Sequence, residues 1–308
     1  MVKMIRARDK MPTTTPGNER LADDPVRLYL NQISQHPLLN REGEVRISRR
    51  LERAREQVYS ALFRSHVATE QAAQLYADLR DAKVKIRAVV KDPRTAFREA
   101  GSKPPAYLQD DASHTRWAVR ALDRVRRLAR ENARLEQTLA SSSRKPGKAR
   151  REKLRRQRLR NLDRIQDRLL GLNLHEKVLD PMIQRLNMQG TALEQTLEEI
   201  KLLEARGGGG MRHIRKLLDK AREDRNTRRT LKRRTGLDVQ GLEALRERLV
   251  GARQRVCNME RQIGRPRAEL LATHRELKEG LWRQDRARAE MVQGNLRLVV
   301  SIARRYSN

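Results

Sequence analysis

The side chains that could hold a metal, attack a carbonyl or carry a proton are poorly spaced in this chain for any of these tasks. Its six histidines, His36, His66, His114, His175, His213 and His274, never recur four apart on one helix, and no carboxylate completes a ligand set beside them. The single Cys257 can neither close an intrachain disulfide nor build a thiolate zinc site, and reads as an ordinary reduced residue. Gly207 to Gly210 would cradle a phosphate only if Lys-Ser or Lys-Thr followed. Met211, Arg212 and His213 follow instead, so the run reads as a flexible joint. Serine nucleophile elbows are absent, and the carboxylates are flanked by arginines, which lower their pKa and favour ion pairing over acid catalysis. The expectation is a chain with no catalytic residue, no metal and no cofactor, and so not an enzyme.

What the residues can do is bind anions. Lysine and arginine number 70 against 39 acidic residues, a formal charge of +31, and an excess of that size calls for a polyanion: nucleic acid first, an anionic membrane surface second. From Arg144 to Arg160 ten of 17 residues are basic and Glu152 is the lone acid; Arg225 to Arg234 is a second basic block without interleaved aromatics. Each block reads either as a solvated helix face or as a phosphate-contacting surface, and spacing alone does not choose.

The elements that must carry these residues are helices. In 308 residues, 37% are apolar, 35% are charged and 3% are aromatic, which argues against compact all-β or densely packed α/β folds. Residues 1–22, with Pro12, Pro16, Gly17 and a run of threonines, offer nothing to bury and read as a flexible basic tail. Asp24 and Pro25 can start a helix with Val26, Tyr29, Leu30 and Ile33 on one face. After His36 and Pro37, Asn40 can cap a second helix with Glu42 and Glu44 in its first turn, and its pattern continues with gaps to Asp92-Pro93. Residues 101–114, with Gly101, Pro104, Pro105, Asp110 and Asp111, read as a loop or linker, and a helix restarts near Thr115. There Ala118, Ala121, Val125, Leu128, Asn132, Leu135 and Leu139 form a three-heptad seam with one polar member, either a hairpin within the chain or a dimeric coiled coil, the hairpin being favoured. Further breaks are expected at Ser141 to Gly147, Gly171, Pro181, Gly190 and Gly207 to Gly210. No apolar run approaches a membrane span or a secretory signal, so the chain should be cytoplasmic, with no membrane partner.

Two segments are far more specific. One is Asp24-Pro25-Val26-Arg27-Leu28-Tyr29-Leu30, continuing through Pro37-Leu38-Leu39-Asn40-Arg41-Glu42-Gly43-Glu44 to Arg50-Leu51-Glu52; the other is Ala289-Glu290-Met291-Val292-Gln293-Gly294-Asn295-Leu296-Arg297-Leu298-Val299-Val300-Ser301-Ile302-Ala303-Arg304-Arg305-Tyr306. Together they resemble a bacterial primary RNA polymerase sigma factor of the sigma-70 family: the first its region 1.2, the second its region 2.1, in the family's order. The resemblance covers roughly residues 24–53 and 274–308; the stretch between matches only in helical character. Independently of it, Met291, Asn295 or Leu296, Val299, Ile302 and Tyr306 fall on one stripe of a helix, which asks for a packing partner.

The resemblance implies an all-α fold: an elongated helical bundle like the N-terminal part of sigma factor domain 2, carrying a long basic helical insertion. In this division, residues 23–100 hold the region 1.2-like helices and the start of the insertion, 101–273 the rest of the insertion, and 274–308 the region 2.1-like helix. It further implies a transcription initiation factor that directs the RNA polymerase core enzyme to promoter DNA and holds the melted non-template strand, with no small-molecule substrate. Residue by residue, it puts Leu38, Glu44, Asn295 and Leu298 in a pocket for a flipped base at the end of the −10 element, and Tyr29, Leu30 and Asn31 at the discriminator. Read without the family, Leu38 and Leu298 are core leucines, Tyr29 is a half-buried helix residue, and Glu44 complements a helix N-terminus. Asn295 either bonds a neighbouring helix or offers donor and acceptor to a base. Asn31 and Gly294 depart from the arginine and alanine common at these places in the family. The chain stops where the family continues into its polymerase-binding, melting and −35-reading helices, so an incomplete form is expected. A reading from another class is a basic coiled-coil architectural protein that binds nucleic acid by charge alone.

Overall fold

The computed structural model describes residues 40–91, 105, 110–140 and 147–306, and every element of more than one residue among them is helical. The expected tail 1–22 and the helix expected from Asp24 lie outside the described residues. The chain divides into two compact units: Met1–Ala54 with Trp282–Asn308, and Arg55–Leu281.

Helix α1 (Arg41–Phe63) starts as its sequence dictates. The Asn40 side chain accepts a hydrogen bond from the Gly43 amide at 2.8 Å, satisfying one of the donors that a helix start leaves free. The pattern expected to run on toward Asp92 is broken twice. Arg64 and Ser65 interrupt it, and the Ser65 hydroxyl caps α2 (His66–Arg80) by accepting from the Ala68 amide. Residues 81–85 then form a turn, with Ala82 at φ 54°, before the single turn α3 (Ile86–Val89). Periodicity passed over the first break because both helices bury the same kinds of residue, Leu62 and Phe63 before it, Val67 and Ala68 after it.

Helix α4 (Asp111–Ala140) begins one turn earlier than Thr115. Asp110, read as loop, is its cap: its carboxylate accepts from the Ser113 amide at 2.6 Å and the Ser113 hydroxyl at 3.0 Å. Helix α5 (Lys148–Gly171) packs back against α4, so the heptad seam is spent on a hairpin within the chain. Ala118, Ala121, Leu122 and Val125 are buried on α4, and Leu162, Ile165 and Leu169 on α5. The seam's polar member, Asn132, is buried and accepts from Asn161 Nδ2 at 3.0 Å. A short antiparallel bridge, Val90 to Leu174, closes the link between α3 and the next helix.

Helix α6 (Glu176–Arg206) runs straight through Pro181 and Gly190, both read as breaks. Pro181, the sixth residue of the helix, forfeits the bond an N–H there would make to the Lys177 carbonyl, and the helix continues past it. Gly190 is small for a tertiary reason: a Cβ there would stand 2.1 Å from Cγ of His274. The four glycines form the turn between α6 and α7 (Met211–Glu223), with Gly207 as C-cap, Gly208 at φ 75° and Gly210 as N-cap. Helix α8 (Arg225–Thr235), capped by Asp224, and α9 (Val239–Ile263), capped by Asp238, complete a small cluster with α7 around Ile214, Leu218, Leu242 and Leu249. The larger core runs from Val58 to Leu277. Helix α10 (Arg267–Tyr306) closes the described chain and continues unbroken through Gly294.

One partly buried charge network fastens the hairpin to the start of α10. Arg158 meets Glu136 at 2.7 Å and also pairs with Glu269, to which Arg265 adds a contact at 2.6 Å. Burial alone would lower the Arg158 pKa, but its hydrogen bonds to Glu269 and Glu136 outweigh that and raise it.

Candidate nucleic-acid interface

The segment around Glu44 is a helix N-terminus whose side chains are mostly exposed. Glu42 and Glu44 lie in the first turn of α1, where the helix dipole favours negative charge. Glu44 is exposed and donates only its backbone amide, to the Asn40 carbonyl at 3.0 Å. One face of this half of α1 is buried at Ile47 and Ala54, seven residues apart, and so on the same stripe.

On that half of α1, Arg50 reaches across 240 residues of sequence to α10. Its guanidinium makes a fork of hydrogen bonds with Glu290: Nη1 to Oε2 at 2.6 Å and Nη2 to Oε1 at 3.1 Å. The bond from Arg50 holds the Glu290 carboxyl below the usual carboxylate range, with Arg286, one turn earlier, adding to it. The Arg50 guanidinium is pushed the other way by the same bond. Both side chains are about two-fifths exposed, so the pair contributes little to stability; its two-point geometry fixes how the helices meet.

Beyond Glu290, α10 presents Asn295 exposed and Leu296 half-buried. The stripe expected to pack is covered only in part: Met291 and Leu296 are half-buried, but Val299 is 60% and Ile302 45% exposed, with Val292 on the same side also exposed. Helical period fixes which residues share a face but not whether the same chain covers them. Among the described residues the Asn295 side chain has no hydrogen-bond partner, and a side-chain amide can give and accept a bond at once.

Of the seven predicted site residues, Tyr29, Leu30, Asn31 and Leu38 lie outside the described residues. Glu44, Asn295 and Leu298 lie on α1 and α10, the two helices that the Arg50–Glu290 fork joins. That fork was not foreseen. Both members sit in the two specific segments and carry opposite charge, yet nothing in a helical pattern pairs residues so far apart. Among the described residues no group of three or more His, Cys, Asp or Glu side chains could hold a metal ion, and no helix is long and apolar enough to cross a membrane.

Residues 24–57 match the family model described as Sigma-70 factor, region 1.2. The match contains Glu44 and Arg50 and extends into the middle of α1.

Proposed function

We propose that this chain acts in transcription initiation as a sigma-type factor, binding RNA polymerase core and holding the opened non-template strand between its region 1.2-like and region 2.1-like segments. The observation that carries this reading is the fork between Arg50, inside the matched stretch 24–57, and Glu290, inside the segment that resembles region 2.1. It gives the two segments a physical reason to act together. Glu44 and the exposed amide of Asn295 then supply acceptor and donor groups for the edge of an extruded base, with Leu38 and Leu298 as apolar walls, and Tyr29, Leu30 and Asn31 serve the discriminator.

The test uses a promoter fragment with a preformed bubble, core polymerase, and the chain both alone and joined to the downstream polymerase-binding segment of a sigma-70 factor. The chain alone is expected to favour the bubble over the closed duplex, and the joined form to co-elute with core. Asn295→Ala is expected to reduce the bubble preference about tenfold, the scale of one good base contact, while leaving duplex binding and core association of the joined form unchanged. Equal affinity of the chain for bubble and duplex, or failure of the joined form to associate with core, would sink the proposal and leave the charge-only architectural reading in its place.

A further inference from the structure

Between α4 and α5 runs an open groove in two stretches that meet at Arg164. The carboxylates of this hairpin are mostly committed to partners. Asp111 pairs with Arg87, Asp123 with Arg126 and Arg127, Glu152 with Arg156, and Asp163 with Arg64. Glu136 is taken by Arg158 and Glu131 by Gln157. What remains on the groove walls is Lys153, Arg160, Arg164 and Arg168 from α5 and Arg124 from α4, all exposed and none in an ion pair among the described residues, against two acids without a cationic partner there, Asp167 and Glu131. Local pairing has neutralised most of the negative charge and left five cations against two acids.

Three of these cations have a regular pitch. Arg160, Arg164 and Arg168 follow one another at four-residue steps, about 6 Å apart along the helix axis, and so form one inclined row of charge on the helix surface. The groove contains one aromatic ring, Trp117, half-buried with its ring centroid 5.7 Å from that of His114. It therefore lacks the series of stacking platforms that single-stranded binders use. We infer that the α4–α5 groove is a second nucleic-acid site that takes the phosphate backbone of duplex DNA without reading its sequence. This site is separate from the α1 and α10 segments and stands or falls independently of the proposed function.

The experiment uses the full chain without polymerase and a labelled random-sequence duplex of about 30 base pairs, titrated by fluorescence anisotropy over a range of salt. The groove variant combines Arg160→Gln, Arg164→Gln and Arg168→Gln. A control removes the same charge from α8 with Arg229→Gln, Lys232→Gln and Arg233→Gln, all exposed in the structure. Losing three phosphate contacts should make the slope of log K against log salt shallower by about 2.7, and weaken binding at least about tenfold near 100 mM salt, the control changing far less. The charge-conserving set Arg160→Lys, Arg164→Lys and Arg168→Lys should keep the original slope. Should the Gln triple lose helicity by circular dichroism, Arg124→Gln with Lys153→Gln replaces it, with an expected loss of about 1.8 in slope. Equal losses in the groove variant and the α8 control would mean that only bulk charge matters and would overturn the site, as would an unchanged groove variant. Tighter binding of single-stranded DNA or duplex RNA than of duplex DNA, lost in the groove variant, would overturn the choice of ligand.

Discussion

At Gly190 the absent side chain is what lets α6 approach α10. The His274 ring is wholly buried against this glycine, with Nε2 3.0 Å from Asn187 Oδ1 and Nδ1 3.2 Å from Glu194 Oε1. Burial would raise the Glu194 pKa, but His274 and Lys278 pull it below the usual range, so the carboxylate stays charged beside the ring. Gly190→Ala gains up to about 1 kcal/mol of helix propensity but drives a methyl group into a ring held on two sides, an overpacking cost of about 1–3 kcal/mol. The expected net result is destabilisation, read as a lower urea midpoint with an unchanged slope. Relief by His274→Ala in the Gly190→Ala background would place the cost in this contact; a stabilised single variant would show that the ring can move aside. The sequence makes a glycine in mid-helix look like a break because propensity is local, whereas the reason for this one stands 84 residues away in α10.

The α4–α5 hairpin shows what periodicity does and does not reveal about an element. Ala118, Ala121 and Val125 are buried as the heptad pattern requires, and the polar seam member Asn132 is buried too. The pattern could not name the partner, because a seam fits any second apolar stripe; the partner is α5, and Asn161 on it supplies the matching amide. Asn132→Leu leaves Asn161 buried with one bond fewer and is expected to cost about 1–3 kcal/mol. The double variant Asn132→Leu, Asn161→Leu should recover most of that, since replacing both members of a buried polar pair by apolar groups is close to neutral. A double-mutant cycle by chemical denaturation measures the difference; additive costs would mean that the two amides do not depend on each other. Helix starts were legible where a cap and its acidic first turn coincide, as at Asn40. They were missed where the cap, Ser65, stands inside an uninterrupted apolar pattern, or where two aspartates look like loop and one of them is the cap, as at Asp110.

For the whole molecule, composition was enough to fix the class: abundant charge and few aromatics leave long solvated helices as the remaining way to build a core, and the described residues are helical. Where that core lies was not legible, because apolar residues recur along all the helices. Both buried clusters fall inside Arg55–Leu281, from Val58 to Leu277 and from Leu203 to Leu249. In the other unit the buried hydrophobic residues among those described are Ile47, Ala54 and Ala287. Since apolar burial is what offsets the entropy of ordering a chain, stability should reside almost wholly in the first of these stretches, which also contains the Arg158 network. A fragment comprising residues 55–281 is therefore expected to fold alone, with a helical circular dichroism spectrum and a cooperative melt within about 3 °C of the full chain, a shift worth about 1 kcal/mol at this size. It should also keep the salt slope of duplex binding, because the α4–α5 groove lies entirely within it. A broad, non-cooperative melt with dye binding to exposed apolar surface would show instead that the ends of α1 and α10 are needed to complete the core, and that the surface joined by Arg50 and Glu290 is part of what holds the protein together.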